Sequence, residues 1–286
     1  MSSSLYANGV FGTRRIERAT YRDLAVRYLC ADTHPDHDTI CKFRREDFEA
    51  VSEAFLQVLL LARELKLLQV GAISVDGTKV DANASKHRNV RYERAGELIE
   101  QLEADIAALM RKNKGGEYRQ SYNGQAAVNT DGGQLIVGVH LTDAASDRRE
   151  LVAVVDAVPP ELGRIGSVLA DSGYASGEEV DELGHRSGEV LVAVGREGRR
   201  RYDFRPEVPE KAPPKRSQPW VVRMKERLST PRCRKKYRLR KQTVEPVFGI
   251  LKEARGFRRF LLRGLRRCGA NGTWSVWPTI AGGCIG

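Results

Sequence analysis

Apolar and charged residues are mixed through residues 1–66, and within 47–65 the apolar ones recur every three or four positions, a pattern that predicts helices. We predict one helix over 16–28, where charged and apolar residues alternate irregularly. We predict a second helix over 47–65. Its buried face is expected to contain five apolar side chains: Phe48, Val51, Phe55, Val58 and Leu61. A third amphipathic helix is predicted over 93–110.

Shorter apolar runs follow and predict strands rather than helices, because they are only four to nine residues long and are bounded by Gly, Asp or Ser. The predicted strands cover 72–75, 121–129, 134–141, 167–170 and 190–194. Between them, helices are predicted over 176–183 and from Ser146 or Asp147 to Val155. The order of strand, hairpin, helix, strand, helix and strand indicates an α/β fold, with a mixed sheet flanked by helices.

Two glycine-containing turns are predicted within this pattern. Asp131-Gly-Gly133 is expected to join two strands in a hairpin, and Asp76-Gly77 is expected to turn the chain back into Lys79-Val80. Pro246 is tolerated only in the first turn of a helix or at a kink. We therefore predict that Thr243 caps a helix and that Glu245 lies in its first turn, where the helix dipole favours a carboxylate.

The balance of charge indicates a polyanionic partner, with nucleic acid as the first candidate. The chain has 48 Lys and Arg residues against 37 Asp and Glu residues, which gives a formal net charge of +11. A basic surface without such a partner is the alternative. The region 196–241 is densely basic and interrupted by prolines, and its aromatic residues Tyr202, Phe204 and Trp220 favour a nucleic-acid surface over a merely solvated segment.

Other features exclude several classes of protein. The five cysteines are scattered without a Cys-x-x-Cys pair, so neither a disulfide framework nor a zinc site is indicated. No apolar stretch reaches the length of about 18 to 20 residues that a membrane helix needs, and we expect a cytoplasmic protein. The segment His34-Pro-Asp-His37 admits a metal site. The favoured alternative is a turn at Pro35 followed by a short helix. Asp38 or Thr39 is expected to cap this helix, which presents Lys42, Arg44 and Arg45 to solvent or phosphate.

Three acidic motifs occur in a defined order with strands between them. They are Val75-Asp-Gly-Thr78, Ala170-Asp-Ser-Gly-Tyr174 and Thr243-Val-Glu-Pro-Val-Phe-Gly249. Together they resemble the catalytic motifs of bacterial insertion-sequence transposases, which carry an RNase H-like DDE domain. The resemblance covers about 6–267 and includes the segments 6–11, 14–18 and 34–37 at the front of the chain.

The resemblance assigns the catalytic and metal-binding roles to Asp76, Asp171 and Glu245. A branch of the family extends the third motif with a Tyr, an Arg and a Lys, which correspond to Tyr237, Arg240 and Lys252. Arg240 is one residue too far from Glu245, so either Arg240 or Lys241 fills the basic role. These four residues are expected to bind DNA. Other carboxylates, which lack the strand-end or motif context, rank lower as ligands: Asp81, Asp143, Asp147 and Glu253.

The chemistry implied is Mg²⁺-dependent hydrolysis and joining of DNA strands. Three converging carboxylates would repel one another unless cations neutralise them, and two Mg²⁺ ions, or Mn²⁺, would do so. The implied partner is double-stranded DNA, at the transposon terminal repeats and the target. The implied assembly is a homodimer that works at the nucleoid in the bacterial cytoplasm.

The resemblance also divides the chain into three parts. We expect an incomplete helical DNA-binding region over 1–66 and a catalytic domain over 67–267, with a shortened 111–120 segment and a basic insertion at 196–241. Residues 268–286 contain no charged residue, although 30% of the chain is charged. Our hypothesis for this tail is a frameshift near Arg267. Two alternatives stay open: an inactive DNA-binding remnant, and an RNase H-like nuclease without joining activity.

Overall fold

The computed structural model describes residues 9–83, 121–194 and 218–265, together with Leu5 and Cys268. The predicted helix over 93–110, most of the basic insertion, with Tyr202 and Phe204, and nearly all of the tail lie outside the described residues. In the part that is described, helices precede a single sheet, and further helices flank the sheet.

The sheet has five strands in the order β3-β2-β1-β4-β5. β1 pairs antiparallel with β2, and β2 pairs antiparallel with β3, whereas β4 and β5 extend the sheet in parallel. This mixed topology confirms the predicted α/β fold and is consistent with an RNase H-like domain. The strand bounds are β1 Leu68–Asp81, β2 Ser121–Gly132, β3 Ile136–Thr142, β4 Ser167–Ala170 and β5 Glu189–Val192.

The predicted turn at Asp76-Gly77 is wrong. β1 continues without reversal through both residues, since Asp76 pairs with Ala126 and Gly77 with Gln125 of β2. The backbone hydrogen bonds of a central strand outweigh the local preference of Asp-Gly for a turn. The hairpin around 131–133 is confirmed, because β2 and β3 pair there.

Over 9–66 the structure describes four helices: α1 Thr13–Arg22, α2 Leu24–Leu29, α3 His37–Glu46 and α4 Phe48–Glu64. Asp23 splits the predicted 16–28 helix, because its carboxylate accepts hydrogen bonds from the amides of Ala25 and Val26 and thereby starts α2. Asp36 caps α3 by accepting from the Thr39 amide at 2.6 Å. The predicted caps Asp38 and Thr39 are therefore wrong.

Two side chains of this region differ from the prediction. Arg44 is buried and donates to the carbonyl of Phe11 at 2.9 Å, instead of facing solvent or phosphate. Leu61 is 53% exposed, and Leu59 and Ala62 are buried in its place. The buried face of α4 thus includes Val51 and Phe55 as predicted, and beyond them it is shifted by one position from the predicted stripe. The side chain of Phe48 lies outside what the structure describes.

The two histidines of the 34–37 segment hold this region together. The ring of His34 stacks on Tyr21 with centroids 4.1 Å apart, and its Nδ1 lies 3.2 Å from Oγ1 of Thr20. Nδ1 of His37 lies 2.9 Å from a carboxylate oxygen of Glu17. His34 thus contacts Thr20 and Tyr21 of α1, and His37 contacts Glu17 of the same helix.

In the described part of the sheet domain the α-helices are α5 Leu151–Asp156, α6 Gly177–Arg186, α7 Pro219–Ser229 and α8 Pro231–Gly249. α5 begins after Glu150, later than the predicted cap at Ser146 or Asp147. The described part of the basic insertion, 218–241, is helical. Its prolines Pro219 and Pro231 stand in the first turns of α7 and α8, where the missing N–H costs nothing.

The helix that contains Glu245 begins earlier than predicted. Thr230 caps α8, and Pro246 lies inside the helix, so the prediction that Thr243 is the cap is wrong. Proline lacks the N–H that would bond to the carbonyl of Gln242. The side-chain amide of Gln134 donates to that carbonyl at 3.0 Å instead, and a π-helical turn, Ile250–Ala254, follows. A side chain from another element thus compensates for the internal proline.

Helices cover both faces of the sheet, and its strands are correspondingly apolar. α4 contacts β1, and α5 contacts β2 and β3. α8 contacts β1, β2 and β4. Fully buried core residues include Ile73, Val75, Val168, Leu169 and Val244. Among the helices that the structure describes, none has the length and hydrophobicity to cross a membrane.

Candidate active site

Parallel pairing brings the first two acids of the motifs side by side. Val75 of β1 pairs with Ala170, the last residue of β4. Asp76 follows Val75 within β1, and Asp171 follows Ala170 directly after β4. Neighbouring residues of paired parallel strands point to the same face, so both carboxylates leave the sheet together. Asp76 accepts from the amide of Gly77 at 3.0 Å, and Asp171 accepts from the amide of Gly173 at 2.7 Å.

Helix α8 brings the third acid to the same place. The hydroxyls of Thr243 and Ser74, both buried, share a hydrogen bond of 2.9 Å that fixes α8 against β1. Ser74 and Asp76 lie on the same face of the strand, because side chains alternate. Glu245 lies on the same helix, and the guanidinium of Arg240 lies within 3.8 Å of a carboxylate oxygen of both Glu245 and Asp76; the Glu245 side chain is 52% exposed.

Arg240 lies between these acids. One guanidinium nitrogen is 3.8 Å from Oδ2 of Asp76, and the other is 3.8 Å from Oε1 of Glu245. The side chain is only 7% exposed. Lys241, the other candidate for the basic role, is exposed. The geometry thus favours Arg240, despite its irregular spacing from Glu245.

Tyr237 supports Arg240 and links α8 to the end of β4. Its ring centroid is 6.0 Å from the guanidinium carbon of Arg240, close enough for a cation–π interaction. Its hydroxyl donates to the carbonyl of Ala170 at 3.2 Å, immediately before Asp171. Trp220, which was predicted as a stacking residue for bases, instead packs against the core beside Gly177.

The electrostatics of the site centre on Asp76. Burial raises the pKa of Asp76 to about 6; the Gly77 amide and Arg240 lower it, and the negative charges of Asp171 and Glu245 raise it further. The ionised carboxylate is therefore short of favourable partners. A cation beside it would supply what the protein leaves incomplete.

The structure also describes Lys252 and the lower-ranked acids of the sequence prediction. Lys252 is half-buried in the π-helical turn, where burial and the nearby Arg258 lower its pKa. Of the lower-ranked acids, Glu253 forms an ion pair with Arg258 at the surface, Asp81 ends β1, and Asp143 is exposed.

Asp147, which ranked lower as a metal ligand on sequence grounds, lies next to the site in the fold. Its Oδ1 accepts hydrogen bonds from the amides of Asn123 at 2.7 Å and Gln125 at 2.8 Å, and the carboxylate lies beside Gly77 and Gly173. The sequence signal for this position was the pair Asn123 and Gln125, two amide side chains at alternating positions of β2 that are both buried. Such a pair indicates a polar partner inside the fold.

The site fits a divalent metal ion in the chemistry of its donors. Asp76, Asp171 and Glu245 offer carboxylate oxygens, the ligands that Mg²⁺ and Mn²⁺ prefer. As the described side chains are placed, no three His, Cys, Asp or Glu residues stand close enough together to hold an ion. In this arrangement Arg240 supplies the positive charge between Asp76 and Glu245.

A mixed sheet of this topology, with one acid within β1 and another directly after β4, is consistent with the RNase H-like class, and comparison with family models identifies the family. The family model described as Transposase DDE domain matches residues 71–270, which include most of β1, all of β2 to β5 and the three acids. The model described as Transposase domain (DUF772) matches residues 5–46. The chain belongs to the insertion-sequence DDE transposases. No curated protein and no solved structure matches it.

Proposed function

We propose that the chain is the transposase of an insertion sequence and that it hydrolyses and joins DNA strands at the transposon ends. One observation carries the proposal: Asp76, Asp171 and Glu245, far apart in sequence, lie around the buried Arg240 on one face of the sheet. The partial burial of Asp76, whose side chain is 21% exposed, supports a role for the three acids as cation ligands.

In this proposal Asp76, Asp171 and Glu245 hold two Mg²⁺ ions, or Mn²⁺. Bound there, the ions would supply an activated water or DNA 3′-hydroxyl and would stabilise the leaving oxygen of a displacement at phosphorus. Arg240 neutralises Asp76 and Glu245 in the metal-free chain and is then available for a phosphate oxygen of DNA. The ring of Tyr237 holds the guanidinium of Arg240 in place.

Double-stranded DNA is the proposed partner, both at the terminal repeats and at the target. α8 is rich in basic residues that are exposed on the same helix as Glu245, namely Arg232, Arg234, Lys235, Arg238 and Lys241. Lys252 extends this basic surface towards the π-helical turn. We further propose that the active form is a homodimer that works at the bacterial nucleoid.

The proposal is tested by incubating the purified chain with DNA that carries the element's own ends and Mg²⁺. Cleaved and joined strands are expected from the wild-type chain. Asp76→Ala, Asp171→Ala and Glu245→Ala should each reduce cleavage by more than the roughly 100-fold that the loss of a supporting residue costs. Asp143→Ala, which removes an exposed acid, is the matched control.

The same assay separates the alternatives. Cleavage without joining would identify a nuclease, and salt-sensitive DNA binding without any cleavage would identify a DNA-binding remnant. If one of the three acid variants keeps wild-type cleavage, that residue is not part of the site.

A further inference from the structure

A fourth carboxylate, Asp147, is fixed in the loop between β3 and α5. Its Oδ1 accepts hydrogen bonds from Nδ2 of Asn123 at 2.7 Å and from Nε2 of Gln125 at 2.8 Å. Asn123 and Gln125 are two residues apart in β2 and therefore lie on the same face of the sheet. Both are buried, with 1% exposure.

The orientation of the Gln125 amide is fixed from its other end as well. The buried hydroxyl of Tyr174 donates to Oε1 of Gln125. The amide nitrogen must then point towards Asp147, because oxygen and nitrogen lie on opposite sides of the group. Tyr174 itself belongs to the short helix Ser172–Tyr174 that follows Asp171. The network thus connects Asp147 to the segment that carries the second acid.

Two glycines give the Asp147 carboxylate its space. A Cβ atom on Gly77 would lie 2.7 Å from Oδ1 of Asp147, and one on Gly173 would lie 3.1 Å from Oδ2. Gly77 follows Asp76 directly. The amide of Gly173 donates to the carboxylate of Asp171. Asp147 therefore packs against the two backbone segments that hold Asp76 and Asp171.

Asp147 approaches β1 from the face of the strand opposite to the Asp76 side chain. Gly77 faces Asp147, and successive residues of a strand face opposite sides of the sheet, so the side chain of Asp76 points the other way. In addition, Oδ1 of Asp147 already accepts two amide hydrogens. Both facts favour a supporting role over direct metal ligation.

We propose that Asp147 is a positioning residue that sets the spacing of Asp76 and Asp171 by bracing the backbone at Gly77 and Gly173. The inference rests on the proposed function, since the spacing matters only if the two acids share metal ions. Partners that orient metal ligands in this way typically contribute a factor of about 10 to 100 in metal affinity.

The test is a Mn²⁺ titration of the purified chain without DNA. Binding is measured as the decrease of the electron paramagnetic resonance signal of free Mn²⁺. Asp147→Ala should weaken Mn²⁺ binding by about 10-fold to 100-fold. Asp147→Asn should bind almost as the wild-type chain does, because its amide oxygen has two lone pairs and can accept both hydrogen bonds. Asp143→Ala, which removes one negative charge from the same loop, should leave binding unchanged.

Three results would overturn the inference. Wild-type affinity in a folded Asp147→Ala variant would mean that Asp147 does not position the site. Equal loss in Asp147→Asn and Asp147→Ala would mean that its charge matters and that it is a ligand. If Asp147→Ala does not fold, Asn123→Ala, which removes one of the two donors, must weaken binding instead, and wild-type affinity there would contradict the proposal.

Failure of the proposed function would look different. In that case the wild-type chain itself would not bind Mn²⁺ at the site, and Asp76→Ala would bind as many ions as the wild-type chain. The titration therefore distinguishes an error about Asp147 from an error about the metal site.

Discussion

Asp76 combines a functional requirement with a cost in stability. Its carboxylate must be ionised to attract a cation, yet burial disfavours the ionised form, and Arg240 at 3.8 Å compensates only in part. Sites that are organised for a ligand often destabilise the free protein in this way. The pH dependence of stability should therefore reveal the site before any activity is measured.

Asp76→Asn is expected to stabilise the metal-free fold near neutral pH. Because the pKa of Asp76 is raised from 3.8 to about 6, its contribution to stability is full below about pH 3.8 and is lost as the pH rises through about 6. The amide stays neutral throughout. At about pH 7.5 the variant should exceed the wild-type free energy of unfolding by about 2 to 3 kcal/mol.

Urea unfolding at about pH 7.5 and about pH 4 measures this difference. The advantage of the Asn variant should disappear at the lower pH, where the wild-type carboxyl is protonated as well. A constant difference at both pH values would contradict the assignment of the raised pKa to Asp76.

At the scale of elements, the position of Glu245 depends on how α8 packs against β1. The hydrogen bond between the hydroxyls of Thr243 and Ser74 is the buried polar contact between the two elements nearest to the acids. The Gln134 amide, which replaces the hydrogen bond that Pro246 cannot make, allows α8 to continue past this point. Glu245 is held by the helix as a whole rather than by a cap.

Thr243→Val should lower the free energy of unfolding by about 1 to 2 kcal/mol, because valine keeps the shape but leaves the Ser74 hydroxyl without this partner. It should also reduce DNA cleavage, since α8 carries Glu245. The double variant Thr243→Val and Ser74→Ala should lose less stability than the sum of the single variants. Strict additivity in urea unfolding would mean that the contact does not couple the two elements.

Sequence patterns predicted the strands and the acid at the end of β4, because apolar runs and strand ends are local features. They failed at Asp76-Gly77 and at Pro246, where pairing with β2 and the amide of Gln134 override local preferences. They gave no sign of the hydrogen bonds that Asp147 makes. Its partners Asn123 and Gln125 are on another strand, and only the folded register brings the three together.

At the scale of the whole molecule, part of the excess positive charge lies on α8. The formal net charge is +11, and the described part of α8 places exposed basic residues beside the acidic site. Attraction to the DNA backbone would therefore be strong next to the acidic site, where the scissile phosphate would bind. The acids alone would repel that phosphate.

The salt dependence of DNA binding tests this arrangement. Replacing the exposed Lys235 and Arg238 by Ala should reduce the slope of log affinity against log salt concentration by about 0.9 for each lost phosphate contact. The matched control replaces Arg186 and Arg223, which form ion pairs with Asp156 and Asp181, so that the change in net charge is the same. Fluorescence anisotropy with duplex DNA measures both. Equal slopes in the two variants would mean that the α8 surface does not contact phosphate.

The most direct test of the metal site is anomalous diffraction from crystals of the chain grown with Mn²⁺. We expect anomalous density bounded by the carboxylates of Asp76, Asp171 and Glu245, with the guanidinium of Arg240 moved away from its present position 3.8 Å from Asp76. Manganese bound elsewhere at saturating concentration, with Arg240 still between Asp76 and Glu245, would contradict the proposed site.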